Sequence, residues 1–167
     1  RISAGSTIIS CMEGTRALLV EIQALVARAN FGMPERKVSG VDYNRVSMLL
    51  AILEKRIGLK LGGQDIFVNI VGGVQIDEPA ADLGIAMTIA SSFKEKVIPS
   101  DIVFVGEVGL GGEVRSVSQI EIRLKEAQRL GFKRAVIPKD NAKGIGKELG
   151  IERIEVCYLS EAVEIIG

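Results

Sequence analysis

The sequence predicts an α/β domain in which strands and helices mix, α+β fashion, as a sandwich of one mixed β-sheet with helices packed against it. Three observations lead there. Short β-branched runs and stretches of helical periodicity are interspersed along the chain, without the strict alternation of a doubly wound sheet. The chain opens on two strand-like runs joined by a turn signal, which predicts an antiparallel hairpin. At 167 residues and 47% hydrophobic content it suits a single domain, 1–167, that buries roughly 70% of its unfolded surface. No internal repeat, linker or low-complexity tract divides it.

Residues 7–12 and 16–26 are rich in Ile, Leu and Val, and Glu13-Gly14-Thr15 between them supplies the turn. The second run also fits a helical face through Leu19, Ile22 and Val26, but Val20, Ile22, Ala24 and Val26 alternate as in a strand. Residues 30–40, with Gly32, Pro34 and Gly40, predict a loop, after which Asp42 is a candidate N-cap for a helix over 43–57. Val46, Leu49, Leu50 and Leu53 form its apolar face. Gly62-Gly63 precedes a strand at 66–71, and Pro79 starts a second helix running to 93. Its Ala81, Gly84, Ala86 and Ala90 permit close packing. Strands at 101–107 and 114–117, a helix at 119–130 stopped by Gly131, and a strand at 135–138 follow. A short helix at 142–149, a strand at 154–159 and a helix at 161–166 complete the expectation.

Lys+Arg and Asp+Glu both total 21, so no bulk positive charge argues for nucleic acid, although a local basic face stays open. Without a histidine, a zinc site would need carboxylates and two widely separated cysteines, so no metal ligands are expected. Cys11 and Cys157 both lie in apolar runs and are expected to be small core residues. No run approaches the ~18 apolar residues of a membrane span; a cytoplasmic location without a membrane partner is the expectation.

No nucleotide-binding motif is complete. Gly144-Ile145-Gly146-Lys147 is followed by Glu148 where Ser or Thr should hold magnesium, and Asn141 stands at the first glycine position. The turn Gly109-Leu110-Gly111 has Val114 at the third glycine of a dinucleotide fingerprint and leads into a strand. Serine–histidine catalysis is impossible, which leaves only a serine activated by a desolvated lysine.

Gly72-Gly73-Val74, Asp77-Glu78-Pro79-Ala80-Ala81-Asp82, the small-residue helix through Ile85-Ala86-Met87, and Gly106-Glu107-Val108 together resemble the proteolytic domain of Lon-type proteases. That resemblance places the catalytic serine at Ala80 and the catalytic lysine at Glu121, so it implies a degenerate, inactive protease site with no catalytic residues. Arg123 and Lys125 lie close by, but arginine does not give up its proton at ordinary pH. Ser91 and Ser92 lie about three turns along the helix, too far to replace the nucleophile.

Further blocks narrow the resemblance. Met12-Glu13-Gly14-Thr15-Arg16, Phe31-Gly32-Met33-Pro34, Gly40-Val41-Asp42-Tyr43-Asn44-Arg45 and Leu53-Glu54-Lys55-Arg56 are similar to the C-terminal domain of the RadA (Sms) family of bacterial DNA repair proteins. That family also carries a zinc finger and a RecA-like ATPase core, which this sequence lacks. With Arg1 rather than a methionine at its start, the chain is expected to be a fragment. ATP, magnesium and zinc would then belong to the missing parts, with no cofactor in this chain.

The resemblance implies a scaffold for a ring-shaped homo-oligomer, a hexamer, acting in recombination and branch migration. The implied partners are single-stranded or branched DNA and a recombinase filament. Candidate DNA contacts are Arg16 at the hairpin turn, Arg36 and Lys37 beside the Phe31 loop, and Arg45, Lys55 and Arg56 along or beside the first helix. Arg115, after the glycine turn, is the last. Each has an ordinary alternative as a solvated or ion-paired surface residue, for example Glu121 with Lys125 or Glu54 beside Lys55. The helix at 119–130 has alternating charges that suggest ordinary solvation. Phe31 to Pro34 is either a loop anchored on its own core or a subunit contact. A Ser-Lys peptidase and a peptide-binding module reusing the dead cleft are the competing functions.

Overall fold

The computed structural model describes residues 3–167. The N-terminal hairpin forms as expected from β1 (Ser6–Glu13) and β2 (Arg16–Arg28), paired antiparallel from Ser6↔Gln23 to Glu13↔Arg16. The two residues left at its tip are Gly14 and Thr15. Gly14 sits at φ 64°, the positive angle that the first central position of a tight hairpin turn requires.

Seven strands form one sheet in the order 36–39, 64–70, β2, β1, 102–104, 134–138, 152–156. Besides the hairpin strands these are β3 (Arg36–Ser39), β4 (Gln64–Ile70), β5 (Ile102–Phe104), β8 (Arg134–Pro138) and β9 (Glu152–Val156). A separate two-stranded ribbon pairs β6 (Glu107–Val108) with β7 (Val114–Arg115). Four of the six neighbour pairings in the large sheet are parallel, so the fold is mixed α/β. The helices are α1 (Tyr43–Ile52), α2 (Asp82–Lys94), α3 (Ile120–Arg129) and α4 (Leu159–Glu164).

Strand alternation gives the sheet two apolar faces. Ile9, Phe104 and Val136 join the larger core with α1, α2 and α4; Ile8, Val103 and Ala135 belong with α3 on the other side. The central helix α2 is enclosed: every residue from Asp82 to Ser92 is buried. Small residues let it approach the sheet, and a Cβ on Gly84 would lie 2.0 Å from Ile9 Cγ2.

Five expectations need correction. Residues 36–39, expected in a loop, form β3, because β4 offers a free edge and pairs with them in parallel. The first helix keeps its α-form only to Ile52 and ends as a π-helical turn, Leu53–Ile57, before Gly58 at φ 83°. Asp42 is the N-cap by position, but its side chain makes no capping hydrogen bond. The strand expected at 101–107 breaks after Phe104: Gly106 N donates to Ala80 O (3.0 Å) and Leu83 N to Gly106 O (2.9 Å), so the chain leaves the sheet to brace α2. The helix expected at 142–149 is a 3-10 turn set earlier, Lys139–Gly144.

The closeness of α2 and β1 is directly testable. Gly84→Ala drives a methyl into the branched, buried Ile9 and should lower stability by about 1–3 kcal/mol in urea denaturation. An unchanged or raised midpoint would mean that the helix does not sit this close to the strand.

Candidate functional site

The site begins where α2 begins. Pro79–Ala81 form a 3-10 turn with proline in its first position, where the missing N–H costs nothing. Ala80 is only 5% exposed and packs with Val103, Val105, Ile120 and Leu124. Its side chain is core, with no hydroxyl. Asp82, at the first position of α2, is completely buried. Arg45 Nε donates to Asp82 Oδ1 at 2.6 Å, a second Arg45 N–H reaches Oδ2, and Val108 N donates to Oδ2 at 3.1 Å. Burial pushes the Asp82 carboxyl above its usual range, against the pull of Arg45 and the Val108 N–H. The hydrogen bond to Asp82 raises the Arg45 guanidinium further, which keeps it charged.

A second ion pair closes the strand beside this turn. β5 pairs with β1 only at Ile8 and Ile9, so the backbone of Ser10 to Met12 has no strand neighbour on that side. Side chains replace one. Arg123, 2% exposed, donates to Ser10 O (3.0 Å), to Ser118 O (2.8 Å) and to Glu78 Oε1 (2.7 Å). Glu78 Oε2 accepts from Met12 N at 2.6 Å, and Ser10 Oγ donates to the Arg123 carbonyl at 3.0 Å. One guanidinium and one carboxylate thus supply a donor and an acceptor where a paired strand would. The fork of arginine suits this task, because it bonds two acceptors without losing its charge.

Glu121 does not face this turn. It accepts from Gly146 N (3.1 Å), on a different side of α3 from Arg123. The expected Glu121–Lys125 and Glu54–Lys55 ion pairs do not form among the described residues; Arg129 with Glu126 does, at 2.7 Å. The expectation that α3 is merely solvated also fails at Arg123. Its signal was in the sequence: Ile120, Arg123, Leu124 and Ala127 are the buried face of the helix, and the arginine occupies an apolar position of that period.

Two small clefts of about 180 Å³ flank residues 76–78. One is lined by Cys11, Met12, Leu18 and Val74, the other by Val41, Asp42, Arg45 and Pro79. No group of three metal-ligating side chains occurs among the described residues. Among the described residues no helix is long and apolar enough to cross a membrane.

The basic candidates fall in three places. Arg45, Arg56 and Arg115 surround the β6–β7 ribbon: Arg45 is committed to Asp82, Arg56 Nε donates to Leu110 O (3.2 Å), and Arg115 pairs with Glu113 (2.7 Å) and Glu107 (3.9 Å). Lys55, adjoining Arg56, is exposed. Arg36 and Lys37 lie on the edge strand β3, the first donating to Leu61 O (3.3 Å), the second 3.5 Å from Glu35. Arg16 lies apart, in a hollow shared with Lys125, Glu126 and Arg129 of α3. The Phe31 loop is not anchored on the core, since Phe31 is 92% and Met33 87% exposed.

The two cysteines separate. Cys11 is buried as expected, and burial, with the Glu78 carboxylate adding to it, pushes its thiol up to about 12. Cys157 is exposed, contrary to expectation, because β9 ends at Val156, which takes the inward position. A thiol reagent at neutral pH should therefore modify Cys157 quickly and Cys11 more slowly by a factor on the order of 100 or greater, until denaturant exposes Cys11. Two equally fast thiols in the native protein would contradict this placement.

The family model described as "Subunit ChlI of Mg-chelatase" matches residues 22–141. The chain is 55% identical over 161 residues to the DNA repair protein RadA of Bacillus subtilis (strain 168), covering 96% of this chain and 35% of that protein. RadA of Halalkalibacterium halodurans is 52% identical, with 97% and 35% covered, and RadA of Synechocystis sp. 44%, with 97% and 32%. The chain spans about a third of the length of these relatives. It belongs to the family that the ChlI model describes, as a homologue of the C-terminal portion of the DNA repair protein RadA.

Proposed function

We propose that this chain is a catalytically inactive Lon-protease-like domain of a RadA-type DNA repair ATPase, serving as scaffold for a hexameric ring and as a DNA-contacting surface in recombination and branch migration. The observation that carries the inactive reading is the head of α2. The nucleophile position is a buried alanine, and the basic side chains beside the turn are arginines already held, Arg123 by Glu78 and Arg45 by Asp82. Ser91 and Ser92 are also engaged in structural bonds at the far end of the helix. A peptide-binding use of the cleft finds less support, because the open stretch of β1 is occupied by Arg123 and Glu78.

The relatives named as DNA repair proteins support the repair role. Within it, the exposed cations offer phosphate contacts: Arg56 and Arg115 at the ribbon, Lys55 beside them, Lys37 on the edge strand next to the half-buried Arg36, and Arg16 at the hairpin. Arg45 is the weakest of these candidates, since Asp82 takes its guanidinium face. ATP, magnesium and zinc would be bound by segments of the full-length protein outside this chain. A recombinase filament is the expected protein partner, and the cytoplasm the expected compartment.

Titration of labelled single-stranded oligonucleotide over a range of salt tests the DNA reading. Binding should weaken linearly in log–log form, and Arg56→Glu or Arg115→Glu should each reduce the slope by about 0.7 without changing the fold. Salt-independent binding, or none, would remove this reading. A labelled casein digest should show no turnover; turnover abolished by mutating one serine would restore the peptidase.

A further inference from the structure

We propose that the loop between β2 and β3, residues 29–35, is a single-strand nucleic-acid contact in which Phe31 stacks on a base while Arg28, Arg36 and Lys60 hold phosphates. This rests on the DNA-contacting reading and gives it a place and a chemistry.

The base of the loop is fixed and its tip is bare. Ala29 N donates to Gly63 O (3.1 Å), Glu35 N to Asp65 Oδ1 (2.7 Å) and Ile66 N to Glu35 O (2.9 Å), so both ends are tied to the start of β4. Between these anchors Phe31 is 92% and Met33 87% exposed. Gly32 between them, at φ 60°, has nothing within 4 Å of a would-be Cβ. An aromatic ring this exposed on a pinned support is ready to stack, and little ordering remains to be done on binding.

The charge around the ring favours a polyanion. Arg28 is exposed at the end of β2, and Lys60 is exposed one residue before Leu61, whose carbonyl receives Arg36. Among the described residues no carboxylate lies within 4.0 Å of Arg28, Arg36 or Lys60; only Lys37 is matched, by Glu35. Two apolar side chains are too little for a protein interface of about 800 Å² per partner. A two-fold contact of the tip with a second copy would also bring these cations together. A base has a π-face for the ring and a phosphate for the cations.

The sequence has no tryptophan, so Phe31→Trp places the sole tryptophan at the tip. The probe is a fluorescein-labelled oligo-dT read by anisotropy, with an unlabelled copy for the tryptophan signal. Phe31→Ala should weaken binding about 10-fold with the salt slope unchanged. Arg28→Glu or Lys60→Glu should instead reduce the slope by about 0.7. Phe31→Trp should bind as the parent does, with the introduced fluorescence quenched by the oligonucleotide. Wild-type affinity in Phe31→Ala, or a tryptophan unaffected by bound oligonucleotide, would overturn the proposal while leaving DNA binding elsewhere. So would a Phe31→Ala chain that loses self-association in sedimentation yet binds DNA normally, which marks the tip as a subunit contact. A parent chain that binds no oligonucleotide at low salt overturns the DNA reading first, and this one with it.

Discussion

The constraint on which the structure depends is the complete burial of α2 from Asp82 to Ser92. A helix enclosed on all sides has no water to satisfy its polar side chains, so each needs a partner inside the protein. Asp82 takes Arg45 and the Val108 N–H. Thr88 donates to Gly84 O (2.6 Å) and meets Thr7; Ser91 accepts from Gly5 N (2.9 Å) and donates to Lys96 O; Ser92 accepts from Val26 N (2.9 Å). These bonds fasten the helix to the hairpin at one end and to the β6–β7 ribbon at the other. The same enclosure explains the small residues: where Gly84 meets Ile9, even a methyl group would collide.

At the head of this helix the chemistry is that of an anchor. A catalytic serine would need a free hydroxyl facing a cleft and a lysine able to lose its proton. Ala80 instead belongs to the apolar cluster of Val103, Val105 and Ile120, and Arg123 bonds three acceptors. The pair with Glu78 links α3, the turn before α2 and β1 through the stretch where β1 lacks a neighbouring strand. Such an edge invites pairing with another chain, and charged side chains laid along it are a known way to prevent that. The proposed function needs this rigidity, since a surface that positions DNA or subunits gains from a frame that does not move.

Much of this was legible in the sequence, where local signals and burial agree. The hairpin followed from Gly14 between two β-branched runs, and α2 from Pro79 before small residues. What escaped was decided by distant partners. β3 is a strand only because β4 lies beside it, and the break after Phe104 exists only because Gly106 bonds Ala80 and Leu83. Arg123 was hidden for the same reason: on a charged helix its burial depends on Glu78 and Ser10, 45 and 113 residues away. Position 121 drew attention through the protease resemblance, while the side chain that meets the turn is two residues further on. Cys157 lies outside because the strand expected over 154–159 ends at Val156, which takes the inward position and leaves Cys157 beyond the sheet.

Glu78 and Arg123 act as one structural unit across the gap beside β1. A double-mutant cycle with Glu78→Gln, Arg123→Met and the double variant, read by urea denaturation, tests it most directly. Breaking a buried pair from one side leaves an uncompensated charge, so each single change should cost about 3 kcal/mol or more, and the double much less than their sum. A coupling of about 2 kcal/mol or more is the result this account predicts. Costs that add to within about 0.5 kcal/mol would show that the two side chains act independently, and would contradict it.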